Sequence, residues 1–130
     1  MAQLGTPDMR LPIQYALFYP ERRDLPGKRL NFYELAGLTL EEPDMETFNG
    51  LKLAYEAGRI GGSMPTVYNA ANEKAVALFL DRKIGYLDIV QLIEEAMNAH
   101  EVIANPTVEE ILMTEASTYD LIEKKVQSRQ

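Results

Sequence analysis

The sequence predicts a mainly α fold: a C-terminal four-helix bundle over residues 45–130, preceded by a proline-rich, partly extended segment with one short helix. Three observations predict it. Apolar residues recur at intervals of three and four from residue 48 onward. Capping residues and glycines punctuate that stretch at short spacings. Pro7, Pro12, Pro20 and Pro26 crowd the start of the chain, with Pro43 following, a density that rules out long helices there.

Taken in order, residues 9–19 form the short helix: Asp8 can receive free amides of the first turn, Pro12 lies where a missing N–H costs nothing, and Pro20 ends it. Residues 29–40 read as mostly extended, with Leu30, Phe32, Leu38 and Leu40 suggesting pairing and Tyr33 to Ala36 a turn of helix. The pattern turns helical after Pro43, which places a boundary near 43–46. A helix over 48–58 presents Leu51, Leu53, Ala54, Tyr55 and Ala57 and is closed by Gly61-Gly62.

Ser63 is then expected to cap a longer helix reaching residue 82, in which Val67, Ala70, Ala71, Ala75, Leu78 and Phe79 share a face. Its small alanines would let a neighbouring helix approach closely, so it is the expected centre of the bundle. A third helix over 88–99 turns Ile89, Val90, Leu92, Ile93, Ala96 and Met97 inward. Thr107 with Glu110 is a capping box opening the last helical region, which carries Val108, Ile111, Leu112, Tyr119, Leu121, Ile122 and Val126. Thr114 is expected to divide that region into a short helix and a longer one. A bundle of about 85 residues supports a workable but modest core.

The 130 residues are 46% hydrophobic and 25% charged, which suits one globular domain, or a small domain with an attached segment. The absence of cysteine excludes disulfides, thiolate catalysis and cysteine-ligated metals, and is compatible with a reducing, cytoplasmic location. Asp8, Arg10 and Pro12 interrupt the apolar character of the N-terminal region, so neither a signal peptide nor a membrane span is expected. A net charge of −7 repels phosphate backbones, and nucleic acid is not an expected partner. The one basic run, Arg22, Arg23, Lys28 and Arg29, is broken by Asp24, Pro26 and Gly27 and reads as a solvated loop.

No group of residues proclaims an active site. Gly61-Gly62-Ser63-Met64-Pro65-Thr66 precedes a helix, but it lacks the Lys-Ser/Thr pair of a phosphate loop and reads as a glycine C-cap followed by a serine N-cap. Glu94-Glu95 and Glu109-Glu110 are adjacent on helices, point about 100° apart and read as solvated faces. A di-iron site would need Glu-x-x-His, and the single histidine, His100, has Met97 at that upstream position. His100 ends the third helix, where an imidazole meets the last carbonyls, and no serine or cysteine pairs with it in the sequence. Catalytic residues and metal ligands are therefore both read as none.

Three blocks carry a resemblance. Residues 2–13, Ala-Gln-Leu-Gly-Thr-Pro-Asp-Met-Arg-Leu-Pro-Ile, are one. Pro43-Asp44 with Leu51-Lys52-Leu53-Ala54 is the next, and Asn69-Ala70-Ala71-Asn72-Glu73 with Ala75-Val76 and Phe79-Leu80 is the third. In order and spacing the chain resembles the C-terminal third of the 1-deoxy-D-xylulose 5-phosphate reductoisomerase family. Departures are mild: Asn49-Gly50 and Lys74 are looser than the family pattern, and Leu87 stands where a capping threonine would serve better.

The resemblance implies that residues 1–44 are the end of a catalytic domain plus linker and residues 45–130 a C-terminal helical bundle. It implies a homodimeric enzyme that rearranges 1-deoxy-D-xylulose 5-phosphate and reduces it with NADPH, using Mg²⁺ or Mn²⁺. The residues holding that metal, the phosphate and the dinucleotide would all precede this chain, so neither NADPH nor metal is expected on the chain alone; its partner would be the rest of the same polypeptide. What carries over is Pro7 and Met9, which match the segment packed beside substrate and nicotinamide, a task the flexible thioether suits. The alternative, from a different class, is a free-standing helical interaction module with an exposed apolar face.

Overall fold

The computed structural model describes residues 5–35, 37 and 40–128. Among these there are six helices and no strand: α1 (Arg10–Phe18), α2 (Phe32–Leu35), α3 (Asn49–Ile60), α4 (Met64–Leu80), α5 (Tyr86–Ala99) and α6 (Val108–Gln127). The chain divides into two compact units, Met1–Glu42 and Pro43–Gln130.

In the first unit, α1 starts where the Asp8 carboxylate accepts the Arg10 amide at 3.0 Å, and it ends before Pro20. Neither α1 nor α2 buries a residue. Local contacts tie α1 to the loop that follows it: Arg22 lies 4.2 Å over the Tyr15 ring, Arg23 lies 4.0 Å over Phe18, and Gln14 donates to the Asp24 carbonyl at 3.2 Å. The basic run is thus exposed but locally engaged, with Arg29 paired to Asp24 and Lys28 to Glu34.

Of the mostly extended reading of 29–40, the turn of helix expected from Tyr33 is present as α2, beginning one residue earlier, and the described residues around it form no strand. The Asn31 side chain accepts the Tyr33 amide at 3.0 Å and donates to Glu34, satisfying backbone that a strand would have had to pair with a neighbour. Residues Ala36 and Leu38 of that reading lie outside the described residues, as do Ala2 to Leu4.

In the second unit α4 packs against α3, α5 and α6, and its buried face is Met64, Val67, Ala70, Ala71, Ala75 and Leu78. Against it lie Leu53 and Ala57 of α3, Leu92, Ile93, Ala96 and Met97 of α5, and Ile122 and Val126 of α6. Tyr68 reaches across to donate to the Gly50 carbonyl at 3.0 Å. The start of α5 lies earlier than expected, at Tyr86, because Asp88 turns back to accept the Gly85 amide at 2.7 Å; Leu87 sits inside the first turn, exposed, and is no cap.

Two expectations about α6 fail for related reasons. Thr114 does not divide the helix: its hydroxyl donates to the Glu110 carbonyl at 2.7 Å, one turn back, and Thr118 does the same to Thr114. These two buried threonines continue with Ile122 and Val126 in one row spaced by four. At 100° per residue, Leu112 lies roughly opposite Thr114 and Val108 about 120° from it, so both face solvent instead of joining the core. The Thr107–Glu110 capping box is present in both directions, at 3.2 and 2.7 Å.

Two outcomes follow from this packing. Leu92 is fully buried and Leu112 is 57% exposed, so Leu92→Ala should cost about 2–5 kcal/mol and Leu112→Ala no more than about 0.5 kcal/mol, read from denaturant melts of the helical signal. Because the first unit leaves Leu17, Tyr19, Phe32, Tyr33 and Leu40 exposed, the 130-residue chain should self-associate as concentration rises. Light scattering that reports a strict monomer throughout would overturn that expectation.

Candidate functional site

The segment carrying Pro7 and Met9 is built by a short-range ring. The Asp8 amide donates to the Thr6 carbonyl at 2.8 Å, which turns the chain, and the Asp8 carbonyl accepts the Leu11 amide at 3.2 Å as α1 begins. The Asp8 carboxylate then takes four bonds from one residue: the Arg10 amide at 3.0 Å, Nε at 2.9 and 3.1 Å, and a terminal guanidinium nitrogen at 2.6 Å. The guanidinium holds the Asp8 carboxyl below the usual carboxylate range and is itself held protonated. Met9 sits between these two, in helical backbone conformation and 72% exposed. Gly5, Thr6, Pro7, Asp8, Met9 and Pro12 line a shallow groove, so the structure brings Pro7 and Met9 to one surface.

His100 and Ser63, which the sequence left unpaired, are brought together in the second unit. Ser63 is fully buried, and instead of capping α4 its hydroxyl lies 2.7 Å from His100 Nε2 while accepting the Ile103 amide at 2.9 Å. The Ser63 amide donates back to the Ile103 carbonyl at 2.9 Å. The expected serine N-cap is therefore corrected: Ser63 has helical dihedrals, and its hydroxyl points away from the α4 amides toward the 100–103 loop. His100 does close α5, with its amide on the Met97 carbonyl at 3.4 Å, but its ring serves Ser63.

Gly62 makes this approach possible. It has φ +57, and a Cβ there would stand 2.3 Å from the Ile103 carbonyl oxygen. With no solvent at Ser63, the pair is a structural tie and offers no nucleophile.

On the α4–α6 face, Tyr119 donates toward Glu73 at 2.9 Å and lies 3.2 Å from Glu115, and these carboxylates push its phenol up to about 12. Lys74 pairs with Glu123 beside it and holds that carboxyl below its ordinary range. Lys125 pairs with Glu95 at 2.7 Å. Among the described residues no group of three or more His, Asp or Glu is placed to hold a metal ion. No helix among them is long and apolar enough to cross a membrane.

Residues 4–121 match the sequence family described as the DXP reductoisomerase C-terminal domain. The chain belongs to that family. It is 67% identical over 125 residues to the 1-deoxy-D-xylulose 5-phosphate reductoisomerase of Lachnospira eligens, covering 96% of this chain and 33% of that protein. The enzyme of Bacillus cereus strain AH187 is 54% identical over 127 residues, covering 97% and 33%.

Among solved structures, the reductoisomerase of Zymomonas mobilis in complex with NADPH aligns with a TM-score of 0.83 at 39% identity, over 97% of this chain and 33% of its own. A DOX-P reductoisomerase in complex with NADPH, fosmidomycin and magnesium aligns with a TM-score of 0.84 at 35% identity, over 97% and 33%. The chain thus spans about a third of the length of its reductoisomerase relatives.

Within this reductoisomerase domain, Ser63→Ala should remove about 1–3 kcal/mol of stability by stranding the Ile103 amide and the imidazole. Hydrogen exchange should accelerate at Ile103. Acceleration confined to the first turn of α4 would restore the N-cap reading.

Proposed function

We propose that this chain acts as the C-terminal part of a reductoisomerase that converts 1-deoxy-D-xylulose 5-phosphate to 2-C-methyl-D-erythritol 4-phosphate with NADPH. The observation that carries the reading is the family match over residues 4–121, taken with relatives three times as long that bear the reductoisomerase name. Residues 1–44 would complete the catalytic domain and the linker, and residues 45–130 would buttress the domain arrangement. The whole enzyme would be a cytoplasmic homodimer.

NADPH, present in two solved relatives, would supply the hydride, and magnesium, present in one of them, would act as Lewis acid, with manganese as the alternative ion. The described residues of this chain do not fit the metal: no three metal-ligating side chains converge. This chain would adjoin the groups that hold metal and cofactor. Its contribution would be to shape the pocket: Pro7 and Met9 lie on one groove, both exposed, where a thioether can pack against a flat ring and yield as ligands enter and leave.

The 130-residue chain alone should show no NADPH oxidation with 1-deoxy-D-xylulose 5-phosphate and added Mg²⁺. Turnover above blank would overturn the division of labour. In a full-length reductoisomerase ending in this sequence, Met9→Ala should raise KM for substrate or NADPH several-fold and leave the melting temperature nearly unchanged, since a residue that lines a ligand pocket fills no core. A large stability loss with unaltered kinetics would contradict the assignment.

A further inference from the structure

We propose that Asp8 is a positioning residue of the reductoisomerase, one that presents Met9 to the ligand pocket by closing a ring with Arg10 across it. The proposal rests on the reading of Met9 as a pocket residue and adds the device that aims it.

Within this chain α1 buries nothing and Met9 is 72% exposed, so no packing contact among the described residues of unit one fixes its side chain. A long unbranched side chain on such a segment would wander among rotamers and lose entropy whenever a ligand fixed it. Its backbone is nevertheless closed on both sides. The Asp8 carboxylate bonds the Arg10 amide at 3.0 Å, spanning Met9, and grips the same residue's guanidinium through three further bonds of 2.6–3.1 Å. The Met9 carbonyl is engaged in turn by the Ile13 amide at 3.3 Å.

A carboxylate with four bonds to one neighbour has little capacity left for a ligand, and its side chain is only 28% exposed against 67% for that of Arg10. Asp8 is therefore placed to act through Met9 and not on the substrate. Both flanking side chains are committed to each other, so Met9 is left as the one side chain of Asp8-Met9-Arg10 free to enter the groove shared with Pro7 and Pro12.

The test is a double-mutant cycle in a full-length reductoisomerase that ends in this sequence, with kcat, both KM values and the melting temperature measured for each variant. Asp8→Ala should raise KM several-fold for the ligand that Met9 contacts while kcat changes little. Asp8→Asn, which keeps an acceptor for the Arg10 amide, should recover part of the loss. In a Met9→Ala background, Asp8→Ala should add nothing further.

An equal effect in both backgrounds would mean that Asp8 touches ligand or supports the fold directly, and would overturn the proposal. If Met9→Ala raises KM and Asp8→Ala does not, only the positioning role falls. If Met9→Ala leaves KM unchanged, the pocket reading and the proposal fall together. Should Asp8→Ala fail to fold, Arg10→Gln opens the same ring from its other side and is held to the same outcomes.

Discussion

Ala70, Ala71 and Ala75 of α4 are each at most 1% exposed, and a methyl group is all that separates the α4 backbone from its neighbours at those points. These small residues belong to the buried face through which a single 17-residue helix packs against α3, α5 and α6. The consequences spread outward. Where α6 meets this face its inward positions are Thr114 and Thr118, whose hydroxyls are satisfied by carbonyls one turn back, so they present small, saturated surfaces. Larger inward residues, Ile122 and Val126, come only in the second half of α6.

A core of this kind fixes helix faces but leaves helix ends free to slide. The Ser63 knot answers that problem at one end. Gly61 and Gly62, both with positive φ, turn the chain sharply between α3 and α4, and the missing Cβ of Gly62 lets the Ile103 carbonyl come in. Ser63 then bonds the 100–103 segment through backbone and hydroxyl together, so the start of α4 and the exit of α5 cannot separate without exposing buried polar groups. Ionic contacts such as Lys74–Glu123 and Lys125–Glu95 lie on the outside of the same packing. They are partly solvated and contribute little to stability by comparison.

The helical periods from Phe48 onward were legible because apolar residues there recur at intervals of three and four, which suits a helix and not a strand. Thr107 with Glu110 was legible because a capping box is a local device, complete within one turn. What the sequence hid was long-range or competitive. Ser63 carries the usual residue type of an N-cap, and only the fold brings His100, 37 residues away, within 2.7 Å to claim its hydroxyl. Thr114 reads as a helix breaker until its hydroxyl is seen to bond within the ladder. Val108 and Leu112 share a helical period with one another but not with the row facing α4, and a pattern alone does not say which of two rows is buried. Pro7 and Met9 were singled out only through family resemblance, since no titratable or ligating residue type marks them.

The first unit is organised differently from the second, by local bonds and not by a core of its own within this chain. Its two helices bury nothing within this chain, and what holds them locally is backbone turns and charge-assisted bonds. Asp8 and Arg10 use both, and a two-residue separation keeps the whole device within one turn, independent of anything packed around it. Such pairs are weak contributors to stability when exposed, and what this one does is fix the backbone across the residue between its partners. Four bonds from Arg10 converge on the Asp8 carboxylate, and together they close the backbone around Met9 without help from any other element.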